Sequence, residues 1–225
     1  MKIHCLFYGL LLSLLACQNR DNAHSSTASF EAPAQVIKQV RETTKSPRSG
    51  DLIFQTSLSN QSQAIQLATG SPYSHMGIIY EEQGRFFDYE AIQTVQLTPL
   101  SQWIQRGKGQ HYVIKRLKEA DKYFTPSTIH KLKEAGRQYA GKSYDIYFGW
   151  SDEQLYCSEL VWKMYKQTLD IEIGTLQRLG DFDLTAPLVK QKLTERYGQL
   201  IPLEEKVISP QAMFASDLLK VVMEE

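Results

Sequence analysis

The chain has 225 residues, with 25 Lys and Arg balanced by 25 Asp and Glu. That length allows one domain with a sizeable core and is too short for two comfortable ones. A net charge of zero, with no local run of Lys or Arg, leaves nothing to neutralise phosphates and argues against nucleic acid as a partner.

The amino terminus opens with Lys2, continues as an apolar stretch from Leu6 to Ala16, and turns polar at Gln18-Asn19-Arg20-Asp21. This is the pattern of a secretory signal peptide over residues 1–16. An apolar stretch of about 11 residues reaches only about 17 Å as a helix, where a bilayer core needs about 30 Å, so no persistent membrane span is expected. Leu14-Leu15-Ala16-Cys17 resembles the lipobox of bacterial lipoproteins. The resemblance implies cleavage before Cys17 and a diacylglyceryl thioether on its sulfur; a plain cleaved signal with an incidental Cys is the other reading. Two or three acyl chains hold a protein firmly at a membrane surface. Gln18 stands where an Asp would imply inner-membrane retention, so the resemblance implies the periplasmic face of an outer membrane. Residues 17–30 then read as the lipidated Cys and a flexible tether rich in Asn, Ser, Thr and Ala, and residues 31–225 as a single folded domain.

Within that domain Val36, Ile37 and Val40 recur at helical spacing between Glu31 and Thr44. Pro47-Arg48-Ser49-Gly50 breaks the pattern before a first strand at Asp51-Leu52-Ile53-Phe54. A second helix is predicted from Asn60 to Ala68, stopped by Gly70-Ser71-Pro72. His75 to Tyr80 and Arg85 to Glu90 are two β-rich runs separated by Glu81-Glu82-Gln83-Gly84, which is hairpin length. A short helix around Leu100 to Gln105 precedes a further strand at Tyr112 to Leu117, and these strands are expected to form an antiparallel sheet. An amphipathic helix runs from Pro126 to Tyr139, and Gly141-Lys142-Ser143-Tyr144-Asp145 is a loop leading toward Leu155-Tyr156-Cys157. Beyond Cys157, Leu160, Val161, Met164 and Tyr165 fall on one helical face, which sets the thiol at the first turn of a buried helix. Ser209 as N-cap and Pro210 in the first turn open a final helix to about Val222.

Cysteine use narrows the chemistry. Cys5 leaves with the signal, Cys17 carries lipid, and Cys157 stays alone in a thiol-oxidising compartment with no intramolecular disulfide open to it. Such a thiol is either a small buried hydrophobe or a nucleophile. At a helix amino terminus it faces unpaired N–H groups and the positive end of the macrodipole, which lower its pKa and point to catalysis. The same N–H groups, that of Cys157 included, can bind the oxyanion formed when sulfur attacks a carbonyl carbon. A thiolate also wants an imidazole to hold it as an ion pair and to protonate the leaving group. His24 lies in the tether and His130 in a solvated helix, which leaves His75 and His111. Small neighbours, Ser74 and Gly77, give a partner room to approach His75, and favour it. An imidazole base needs a third group to fix its tautomer, and Glu90 on the next hairpin strand can reach the same face. The alternative is a Glu that caps a strand in solvent. The histidines lack the spacing and extra Cys ligands of structural zinc, so no metal site and no cofactor are expected.

Ser74-His75-Met76-Gly77 and Tyr156-Cys157-Ser158-Glu159-Leu160-Val161, with Gly50-Asp51-Leu52-Ile53-Phe54 before and Tyr89-Glu90-Ala91 between, resemble the YiiX/YaeF family of permuted papain-fold enzymes over roughly residues 49–222. That family is similar to the NlpC-type cell-wall peptidases, with its His ahead of its Cys. The resemblance implies an α+β fold, a small antiparallel β-sheet packed against helices, with Cys157 as nucleophile, His75 as base and Glu90 as orienting residue. It likens Gly141-Lys142-Ser143-Tyr144 to the loop that places a Tyr beside the nucleophile. Tyr144, with Ser74 and Tyr156, is thus a candidate for substrate or oxyanion contacts, against the alternative of a core Tyr with a wet hydroxyl. Tyr156 stands where cell-wall peptidases often carry Asp, and no wall-binding module is recognisable, so peptidoglycan is not implied with the rest. The implied activity is a thiol amidase or peptidase of the cell envelope, a monomer acting on a small-molecule or peptide amide. Two rivals remain: a lipid acyl hydrolase or acyltransferase similar to lecithin:retinol acyltransferase, and a non-catalytic ligand-binding lipoprotein. Selectivity is expected to lie in the loops Gly70 to Ser74, Ser151 to Leu155 and Asp170 to Lys206.

Overall fold

The computed structural model describes residues 46–225, so the expected signal peptide, lipidated Cys17, tether and Glu31 to Thr44 helix lie outside the described residues. The β-rich runs form strands β1 (Leu52–Ser57), β2 (His75–Glu82), β3 (Arg85–Ala91) and β5 (Gly107–Leu117). Two strands not expected from the sequence, β4 (Val95–Pro99) and β8 (Leu219–Glu224), complete an antiparallel sheet in the order β4-β3-β2-β1-β5-β8. A small ribbon pairs β6 (Gln177–Arg178) with β7 (Lys206–Val207). The hairpin between β2 and β3 closes through Gln83 and Gly84, both at positive φ, the pair of conformations that matches the twist of the flanking strands.

Leu52, Ile53 and Phe54, like Met76, Ile78 and Ile79, are consecutive or nearly so and wholly buried. Strands this apolar on both sides must be covered on both faces. On one face lie α4 (Pro126–Arg137) and α5 (Cys157–Leu169), whose Leu132, Leu160, Val161 and Met164 pack on Leu52, Phe54, Met76 and Ile78. Tyr80 and Tyr89 tie the sheet to α4 by donating their hydroxyls to Leu132 O (3.3 Å) and Gly136 O (2.6 Å). On the other face α2 (Leu100–Gln105) lays Trp103 over Ile53, Ile79 and Ile114. Short α3 (Ala120–Tyr123) follows β5. A third cluster, Ala64, Leu179, Val189 and Leu193, joins α1 (Asn60–Thr69) to α6 (Pro187–Tyr197). The segment from Asp170 to Lys206, expected as loop, thus contains a helix that packs beside the site.

The expected final helix is corrected. Ser209 does cap α7 (Pro210–Phe214), accepting from Ala212 N at 3.0 Å, but the helix stops at Phe214 and Leu219–Glu224 is a strand. It pairs Leu219 with Leu117 and Met223 with Ile114. Val221 and Val222 are β-branched, and β5 would otherwise present an unpaired edge of N–H and C=O groups. Helical periodicity in one segment carries no information about a sheet edge elsewhere in the chain.

Candidate active site

His75 opens β2 opposite Gln55 of β1. By alternation it shares a face with Gly77 and Ile79, the side covered by α2, and its ring stacks on Trp103 with centroids 5.9 Å apart. Continuing the pairing of Ile78 with Tyr89 sets Glu90 opposite Gly77 and diagonal to His75. The outcome is a 2.6 Å hydrogen bond between His75 Nε2 and Glu90 Oε2. Glu90 has no solvent exposure, and its other oxygen accepts from Thr98 Oγ1 and Arg106 Nη2, each at 2.5 Å. Burial alone would push this carboxyl up, but His75, Thr98 and Arg106 hold it below its ordinary value.

Cys157 is the first residue of α5. The helix begins there because Tyr156 is extended and donates its N–H to Glu159 Oε2 at 3.4 Å, while Leu160 N makes the first intrahelical bond, to Tyr156 O. The N–H groups of Cys157 and Ser158 therefore have no partner within the helix. Ser158 Oγ donates to Ile208 O (2.7 Å) and Ile208 N donates to Tyr156 Oη (3.0 Å), which fixes this turn against the segment before α7. The thiol lies beside the His75 ring. Burial favours the neutral imidazole, but hydrogen bonds to Cys157 and Glu90 outweigh it and raise His75 to about 10. With Nε2 committed to Glu90, Nδ1 is the nitrogen left to face the sulfur. Thiol, imidazole and buried carboxylate stand in the order a thiol hydrolase needs.

The other candidates divide. Tyr144 is brought to the site: its hydroxyl accepts from Gln61 Nε2 at 3.1 Å, and burial, with Cys157 nearby, pushes its pKa well up, so it keeps its proton. Ser74 is held beside His75, accepting from Ser57 N at 3.1 Å and sharing a hydrogen bond with Ser62 Oγ. Tyr156 is almost wholly buried and its hydroxyl is occupied by Ile208. His111 is exposed and lies 3.9 Å from Glu224, while exposed His130 pairs with Glu134, so neither joins the site.

Thr98, Arg106, Trp103 and Asp88 were not singled out from the sequence. Asp88 carried a legible signal, a second carboxylate two residues before Glu90 on the same strand face. It is fully buried and packed against Gly77, where a Cβ would lie 2.1 Å from Asp88 Oδ2. Burial and the neighbouring Glu90 push its pKa well above the usual carboxylate range. The others gave no local signal.

Residues 46–223 match a family described as permuted papain-like amidase enzyme, YaeF/YiiX, C92 family. The uncharacterized protein YiiX of Escherichia coli (strain K12) is 45% identical over 179 residues, which is 80% of this chain and 87% of the relative. The crystal structure of metalloprotein yiiX from Escherichia coli O157:H7 superposes with a TM-score of 0.76 at 46% identity, covering 80% of this chain and 98% of that one.

Proposed function

The chain belongs to the C92 family of permuted papain-like amidases, and from that premise we propose that it hydrolyses an amide of the bacterial cell envelope through a thioester on Cys157. The observation that carries this reading is the line from Cys157 through His75 to a fully buried Glu90. Cys157 Sγ attacks the carbonyl carbon, and the N–H groups of the first turn of α5 and the Tyr144 hydroxyl receive the oxyanion. His75 gives its proton to the departing nitrogen as the C–N bond breaks. Water then attacks the thioester, surrenders a proton to His75, and releases the acid as the thiol is restored. Glu90 keeps the imidazole oriented throughout.

The crystal structure at 46% identity is that of a metalloprotein. In this chain no group of three or more His, Cys, Asp or Glu among the described residues converges as metal ligands would, and both Glu90 oxygens are taken by His75, Thr98 and Arg106. The proposed mechanism uses no metal. A membrane address through Cys17 is part of the proposal, supported by Leu14-Leu15-Ala16-Cys17; no helix among the described residues is long and apolar enough to cross a membrane.

The test is the pH dependence of Cys157 alkylation by iodoacetamide, with His75→Ala alongside, and amide turnover by Cys157→Ala. Rapid labelling well below pH 8 that weakens without His75, together with loss of turnover in a folded Cys157→Ala protein, is the expected result. Slow labelling indifferent to His75, or full turnover without the thiol, overturns the mechanism.

A further inference from the structure

Two cavities meet at Tyr144, sharing only Gln61, Ile65 and Tyr144 itself. The narrower, about 90 Å³, reaches Cys157 and is walled by Ala64, Leu179, Phe182, Leu184 and Val189. The wider, about 480 Å³, holds His75 and is walled by Gln55, Ser57, Ser62, Ser74 and Arg106. Each cavity thus contains one member of the pair, and their walls differ in chemistry.

The reaction gives the two sides different tasks. Sulfur bonds the acyl carbon, so the acyl group rests on the side of Cys157. His75 delivers its proton to the departing nitrogen, so the amine leaves on the side of His75. We infer that the substrate is an amide joining an aliphatic acyl chain, seated in the Cys157 cavity, to a polar amine, seated in the His75 cavity. This rests on the amidase reading above and deepens it. A peptide residue in the acyl position would carry a charged α-nitrogen against a surface that is chiefly apolar and whose two charged lining residues, Lys192 and Arg196, have the same sign, and burying an unpaired polar group is unfavourable. An alkyl chain carries no such group and gains from every methylene removed from water.

Binding is measured in the full chain carrying Cys157→Ala, with Cys17→Ser to remove the proposed lipid, so the readout is independent of turnover. Acetyl-, butanoyl-, hexanoyl- and octanoylglycine are titrated by calorimetry. The Kd is expected to fall about three- to fourfold per methylene until the cavity is filled. Hexanoylglycine is expected to bind at least tenfold tighter than leucylglycine, whose acyl group has the same carbon count. Ala68→Trp, which adds a ring to the cavity wall from half-buried Ala68 of α1, is expected to shrink the hexanoyl-to-acetyl affinity ratio at least tenfold. A Kd independent of chain length, or leucylglycine bound as tightly as hexanoylglycine, overturns the acyl-chain assignment and leaves the amidase reading standing. Chain-length-dependent binding with no hydrolysis by the protein that retains Cys157 keeps only the Cys157 cavity as a seat for an alkyl chain and overturns the amidase reading, so the two fail separately.

Discussion

Glu90 sits where a carboxylate is costly, without solvent, and three donors reverse the effect of burial. Thr98 is the donor whose removal changes least else, since valine keeps its shape. A hydrogen bond to a charged acceptor contributes about 1.5–3 kcal/mol, so Thr98→Val is expected to lower kcat/KM by about 10- to 150-fold, with the protein still folded. A kcat/KM within twofold of the parent would show that Thr98 does not position Glu90. His75 makes a separate prediction about stability. Its pKa is raised from 6.5 to about 10 in the folded protein, so its stabilisation is full below about pH 6.5, where the unfolded imidazole is also protonated. Between there and about pH 10 the folded state binds the extra proton, and stability falls as pH rises. The Tm of the parent is therefore expected to drop more steeply from pH 7 to pH 10 than that of His75→Ala; parallel curves would contradict the ion-paired imidazole.

Among the elements, β1 depends on its anchor at Asp51. The Asp51 carboxylate accepts from Arg116 Nε and Nη2 of β5, each at 2.7 Å, and from Arg48 N at 2.8 Å. Burial still holds its pKa above the ordinary value, so the pair contributes alignment of β1 with β5 more than net energy. Breaking it is another matter, because Arg116 is itself buried. Asp51→Ala is expected to cost about 3–5 kcal/mol in urea unfolding by stranding that charge, and Asp51→Ala combined with Arg116→Met is expected to recover part of the loss. A cost below about 1 kcal/mol for the single change would remove the anchor from the account. The same reasoning explains β8: an element's fate depends on the partner edge it meets, and β5 offers Val221 and Val222 a better place than a lengthened α7 would.

For the whole molecule, the site is assembled where a strand of one hairpin, its neighbour and the amino end of a distant helix meet, between helical layers on both faces of the sheet. At this scale the proposed anchor also makes its prediction. Two or more acyl chains bind a membrane stably where one does not, so Cys17→Ser is expected to move the protein from the membrane fraction to the soluble one; retention at the membrane would refute lipidation at Cys17. Sequence alone determined the features that local physics governs. The periodicity of α4 and α5, the register of the β2–β3 hairpin with Glu90 in reach of His75, and the thiol at a helix amino end all follow from residues close together in the chain. Tertiary structure decided the rest: Thr98 and Arg106 as the donors that keep Glu90 ionised, Trp103 against the imidazole, β8 at the sheet edge, and an apolar cavity on the Cys157 side. Thr98 is only eight residues from Glu90, but it sits on β4, a strand that no local pattern announced, and a buried charge or an unpaired edge finds its partner only when the chain has closed around it.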